Sequence, residues 1–329
     1  MIALLLSAAV IASTPPYQVL DTIRVGGENN GAWDYATFDP DTRKLYVAHQ
    51  AAVAAIDIDT KAANPALVTA VYTHIALPYD HGRSLLVTNG KANTVILVDA
   101  ATGAVTATLE TGANPDGAII DPVTHSGFVM ANAGHQVDMV DLASRTVTAR
   151  IPVSGKPEGG AVDQAGRVFT HLEDKSTLLI IDAKAATVTR TIDMKDCESP
   201  SGLAYITGKD WILSACDNKM ARVTDLKSGK EVARFPIGDE PDFALYDSDR
   251  DVGYVPTGDG NLTAIDFSGP KPRLIEQIKT EKGARTAALD PKTGHILLPT
   301  ADLLPPTPGS RRPTSAPGSF RILIVGHGA

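Results

Sequence analysis

Residues 85–122 read LLVTNGKANTVILVDAATGAVTATLETGANPDGAIIDP, and they contain the whole plan of the chain. Four short runs rich in β-branched and aliphatic residues alternate in and out with period 2. Between them sit NG, ATG and NPDG, residues that supply the backbone angles of tight turns. The stretch recurs. Its aliphatic strand ending in Asp, ILVDAATG, has counterparts in AAIDIDT, DMVDLASR, LIIDAKAA, RVTDLKSG and TAIDFSG, anchored at Asp57, Asp99, Asp141, Asp182, Asp225 and Asp266. The anchors are 42, 42, 41, 43 and 41 residues apart, and RILIVG at 321–326 makes a seventh copy. A second anchor runs in phase: ATFDP, GAIIDP, GAVDQAG, FALYDSD and TAALDP, at Asp39, Asp121, Asp163, Asp247 and Asp290, with weaker members at Asp80 and Thr207.

Four strands every ~40 residues are the signature of a β-propeller blade. Helical repeats of this length need a 3.6 period, which these runs lack, and an immunoglobulin-like array needs about 90–100 residues per module. The expected fold is therefore all-β: a seven-bladed β-propeller of four-stranded antiparallel blades. YQVLDTIRVGG (17–27) resembles the fourth strand of a blade, and the chain ends on a third strand. The N-terminal strand should thus complete the last blade and close the ring, removing exposed sheet edges. Residues 17–329 form one expected domain.

The composition agrees. The 329 residues carry Lys+Arg 30 against Asp+Glu 38, a net charge of −8, with 5% aromatics, Gly 28 and Pro 22. An acidic balance argues against a general nucleic-acid or anionic-membrane binder. MIALLLSAAVIA (1–12), followed by Thr14, Pro15 and Pro16, has the length and small-residue ending of a secretory signal, so 1–16 reads as a leader and the protein as periplasmic or secreted. No later run is long enough to span a bilayer. In that compartment Cys197 and Cys216 are expected to bond, closing a loop worth roughly 3 kcal/mol; the alternative is two free thiols.

In a propeller the innermost strand of each blade lines the axis. Five residues before each second anchor lies a ring: Asp34, Asp116, Glu158, Asp242 and Arg285, with Ser201 in blade five and Thr73 or His74 in blade two. The ends of the second strands give another: His49, Asn89, Asn132, His171, Cys216, Thr257 and Thr300. Both rings map to one mouth of the channel. Exposed loops carry such residues anyway, but convergent carboxylates, amides and imidazoles make a polar site for a metal ion, a cation or a polyhydroxylated ligand. The candidate ligand-binding set is Asp34, His49, Asn89, Asp116, Asn132, Glu158, His171, Ser201, Asp242 and Arg285. Within it, Asp34, Asn132, Glu158 and Asp242 are candidate ligands for a divalent ion such as Ca²⁺, Mg²⁺ or Zn²⁺. Trp33 adjoins the ring and could stack on a ligand or plug a blade interface. A proline-rich insertion, 302–319, falls on the same face and would lie over the mouth as a flap, offering Arg311 and Arg312 to the acidic rim.

The repeats GANPDGAIIDP with FVMAN and VDMVDL, and LLVTNGKANTVILVDAATG, resemble the YVTN-repeat (YncE-like) β-propeller family. KGARTAALDPKTGHILLPTA (282–301), followed by the proline-rich stretch and GSFRILIVG, is similar to an exported bacterial subgroup of it. The resemblance covers nearly all of 17–329. It implies the fold and an extracytoplasmic location, but no consensus catalytic set; related propellers include lactone hydrolases, redox-enzyme subunits and nucleic-acid or protein binders. Single-stranded DNA binding, associated with one branch, would want a basic face with exposed aromatics, which this acidic mouth lacks. No CxxCH marks a haem attachment. Two functions follow as expectations. One is a binding or interaction propeller holding a small polar molecule or a protein partner at the acidic mouth. The other is a metal-assisted hydrolase of a lactone-like molecule, with His49 or His171 moving protons.

Overall fold

The computed structural model describes residues 16–27, 32–305 and 314–328. Of the expected leader 1–16 all but Pro16, together with the insertion residues Arg311 and Arg312, lie outside the described residues. Seven antiparallel blades follow one another around an axis. Blade two shows the plan: Ala76–Tyr79, Ser84–Asn89, Thr94–Asp99 and Val105–Glu110, paired in chain order from the axis outward. The middle strands have nearly every residue buried, while the outer strand alternates and stays largely exposed. That contrast is what the sequence pattern encodes: aliphatic runs inside, Thr- and Glu-bearing alternation at the rim.

Blade one departs in form only. Its strand Lys44–Asp57 turns at Gln50 (φ +50°), so that its first half pairs with Ala36–Asp39 and its second with Ala63–Thr73. One continuous strand thus occupies the second and third positions. Blade seven is assembled from both ends of the chain. Ala288–Asp290 and His295–Thr300 are followed by Arg321–His327, and Tyr17–Arg24 pairs with that last strand from Tyr17↔His327 to Arg24↔Arg321.

The core is distributed over the interfaces between blades. Tyr46, Val53 and Val68 of blade one interleave with Leu85, Val87 and Val98 of blade two. Phe128 and Met130 of blade three meet Val168 and Ile181 of blade four, and Ile23, Ile322 and Leu297 of blade seven meet Leu45 and Val47 of blade one. Each such side chain withdraws from water for roughly 1.5–3 kcal/mol. Near the axis the blades approach so closely that a Cβ on Gly202 would lie 2.3 Å from the backbone of Phe243.

The cysteines are bonded. Cys197, in the segment leading into blade five, joins Cys216 at the end of Trp211–Cys216, and both are fully buried beside Ile192, Met194 and Ile212.

Candidate functional site: the acidic mouth of the channel

The first residues of the inner strands surround one mouth of the axis. Backbone bonds fix their mutual positions. Asp34 N–H donates to the Ala48 carbonyl at 2.9 Å, and Tyr35 N–H donates to the His74 carbonyl at 3.0 Å, so blade one is tied to blade two at the site. Thr286 Oγ1 donates to the Asp34 carbonyl at 2.8 Å, tying in blade seven.

One half of the ring is compact. His74 Nδ1 lies 2.7 Å from Asp34 Oδ2 and 3.4 Å from Asp116 Oδ1. The structure therefore chooses His74 over Thr73 for blade two; Thr73 ends the outer strand of blade one. Glu158 follows, accepting from Asn132 Nδ2 at 2.9 Å. Burial, then the charges of Asp116, Glu173, Asp242 and Asp34, hold its carboxyl well above the usual carboxylate range. Across the mouth Arg285 Nε pairs with Asp242 Oδ2 at 3.3 Å. The charge of Asp242 raises the guanidinium's affinity for its proton. Ser201 donates its hydroxyl to the Pro241 carbonyl at 3.0 Å, which is a structural engagement.

The second ring behaves differently, because its residues stand one strand spacing further from the axis. Asn89 accepts from the Val71 N–H at 2.9 Å and donates to Thr94. Thr257 donates to the Asn261 carbonyl, closing its hairpin, and Thr300 donates to the Lys282 carbonyl in the segment that leads into blade seven. His171 is fully buried between blades four and five, with Nε2 3.0 Å from Ser214 Oγ. His49 packs on Phe320, ring centroids 4.7 Å apart. Burial lowers both imidazoles to about 4, so both are neutral near pH 7. Both are withdrawn from solvent in the interior. Of this ring, Asn132 joins a first-ring carboxylate, donating to Glu158. The set Asp34, Asn132, Glu158 and Asp242 is likewise rearranged: Asn132 serves Glu158, Asp242 faces Arg285, and Asp34 turns to His74 and Asp116.

One residue deeper, the register runs Tyr35, Ile75, Gly117, Gly159, Gly202, Phe243 and Thr286. Three glycines leave the axis open there. Tyr35 of blade one and Phe243 of blade six fill it, their rings edge to face at 5.7 Å. Below this aromatic layer the channel is apolar, a cavity of about 250 Å³ with Ile75, Leu77, Ile119, Leu203 and Leu245 in its wall. Above it lies a cavity of about 420 Å³, bounded by Trp33, Glu240, Asp242 and Arg285 and reached by Glu173 and Asp217. Leu303 and Ser315, from the two short paired strands of the insertion, also line it. Trp33 is 5% exposed and packs near Phe320, so it belongs to the blade interface as well as to the cavity wall. Tyr35, Glu173 and Glu240 are absent from the set read in the sequence. Tyr35 was legible as the aromatic directly after a ring carboxylate, in register with glycines. Glu173 opens a short 3-10 turn after the second strand of blade four, and Glu240 lies in the segment leading into blade six, one step outside the two rings read in the sequence.

No family model and no curated protein sequence matches this chain. Its fold is similar to that of many solved structures. A chain of "Kuenenia stuttgartiensis Hydrazine Synthase" superposes with a TM-score of 0.72 at 15% identity, covering 89% of this chain and 96% of that one. "Crystal structure of RRP9 WD40 repeats" gives 0.79 at 10% identity, with 95% and 99% covered. A chain of "Crystal Structure of Mitotic Checkpoint Complex" gives 0.75 at 12% identity, with 90% and 93% covered. At these identities the likeness defines the class, a seven-bladed β-propeller, and carries no activity with it.

Proposed function

We propose that this protein is an exported propeller of the YVTN-repeat kind that binds a small polar, net-cationic ligand at the acidic mouth of its channel. The observation that carries the reading is the convergence of acidic groups at the mouth: the carboxyls of Asp34, Asp116, Glu158 and Asp242 stand around it from four blades, against the single guanidinium of Arg285, which pairs with Asp242. A low-dielectric concavity lined by one sign of charge concentrates the opposite charge. The cavity of about 420 Å³ suits a small molecule, and a basic loop of a partner protein would satisfy the same chemistry. Export is supported by the disulfide, which fits an oxidising compartment, and by the leader-like 1–16. No helix among the described residues is long and apolar enough to cross a membrane.

Calorimetric titration of the full chain with spermidine tests the reading. Binding is expected to weaken at least tenfold in Asp242→Asn and to fall steeply with added salt. Absence of binding, or an affinity indifferent to both changes, overturns it.

A further inference from the structure

Within the mouth, one imidazole nitrogen and two carboxylate oxygens converge closely enough to share an ion, which would take the place of the His74–Asp34 hydrogen bond. Asp34 Oδ2, His74 Nδ1 and Asp116 Oδ1 all lie within 4.8 Å of one another, and the two distances from Nδ1 are 2.7 and 3.4 Å. Ligands about 2.1 Å from a shared ion stand roughly 3.0 Å apart in an octahedron and roughly 3.4 Å in a tetrahedron. The three residues come from the inner-strand starts of blades one, two and three, so rigid, adjacent elements hold them.

A second observation is independent of this spacing. Tyr35 is 2% exposed, and among the described residues its hydroxyl has no hydrogen-bond partner, although the charges of Glu158, Asp116, Asp242 and Asp34 act on it. A buried hydroxyl left without a partner is costly, and one directed into a carboxylate cluster is placed to meet a solvent molecule held there. The crowding of like charges points the same way, since a divalent cation would relieve it.

We infer that Asp34, His74 and Asp116 form a binding site for a first-row divalent transition ion, zinc foremost, with the Tyr35 hydroxyl facing the ion's solvent ligand. The mixed imidazole–carboxylate donor set selects against Ca²⁺ and Mg²⁺, which take oxygen ligands in larger number. The site deepens the reading of the mouth as a ligand site and rests on it. It replaces Asn132, Glu158 and Asp242 as ligands and keeps Asp34.

The test is calorimetric titration of the chelator-treated full chain with ZnCl₂, with Co²⁺ absorption as a second readout of coordination. One zinc per chain is expected, with affinity falling at least tenfold in His74→Ala and in Asp116→Asn, and unchanged in His295→Ala. Circular dichroism reports whether each variant folds. If His74→Ala does not fold, the near-isosteric Asp116→Asn and its cobalt spectrum decide. No stoichiometric zinc, or zinc binding indifferent to the folded variants, overturns the site. Spermidine binding that is lost in Asp242→Asn while zinc fails to bind would overturn the ion site and leave the broader reading of the mouth standing.

Discussion

The aspartates that reveal the repeat hold turns. Asp99 accepts from the N–H groups of Ala101 and Thr102 and from the Thr102 hydroxyl; Asp141 does the same with Ser144, and Asp225 with Ser228. These bonds hold Asp99, Asp141 and Asp225 below the usual carboxylate range. Much of the acidic content is therefore turn chemistry on the face opposite the mouth, where an Asp side chain mimics a backbone acceptor. Histidine supplies the sharpest residue-scale prediction. His171 titrates near 4 in the folded chain against an ordinary 6.5, because burial penalises the imidazolium. Between those values the unfolded chain binds more protons than the folded one, so stability is full above about 6.5 and falls as pH drops toward 4. The contribution reaches on the order of 3 kcal/mol at full protonation. His49 adds a term of the same sign. Urea unfolding from pH 7 to 4 should show this decline, and His171→Gln, which can still meet Ser214, should flatten it. Equal slopes in the two proteins would show that His171 is not held neutral by burial.

At the scale of elements, strand alternation and turn residues were readable one blade at a time. The pairing of Cys197 with Cys216 was also readable, because both map to the same face of blade five. The segment they clamp is the irregular link between Thr187–Asp193 and Leu203–Ile206. A loop of this length, with its cysteines 19 residues apart, should contribute about 3 kcal/mol. The double variant Cys197→Ala/Cys216→Ala is expected to lose that much in denaturant unfolding while keeping its β-sheet spectrum. An unchanged midpoint would mean that packing by Ile192, Met194 and Ile212 alone fixes the link. The turn between the second and third strands of blade one was readable too, since His49 ends one and Asp57 the other; what the sequence left open is that the backbone runs through Gln50 as one continuous strand.

For the whole molecule, closure is the decisive interaction. Tyr17–Arg24 covers the edge of Arg321–His327, its Tyr17 hydroxyl meets that of Tyr254 at 2.7 Å, and its Tyr17 N–H donates to Glu276 of blade six. Arg43 of blade one adds a two-point bridge to Asp290 of blade seven, at 2.7 and 2.8 Å. Removing residues 1–24 leaves a long unpaired edge, a template for pairing with another chain. We expect the truncated chain to lose its single cooperative thermal transition and to associate. Light scattering coupled to size exclusion, with a thermal melt, checks this; a monomer melting like the full chain would show that the ring does not depend on its clasp.

The sequence by itself determined the seven units, their four-strand order, the closure by the N-terminal strand, the disulfide and the ring of first-strand residues at one mouth. All of these are set by local period, turn chemistry and register, which act over a few residues and repeat every 42 or so. Only the tertiary structure decided which ring members meet. It brought His74 rather than Thr73 to Asp34 and Asp116, buried His49 and His171 between blades, and laid Tyr35 against Phe243 across the axis. Those outcomes depend on how far each strand stands from the axis and how neighbouring blades pack side by side. Contacts between residues tens to hundreds of positions apart leave no trace in a repeat read one unit at a time.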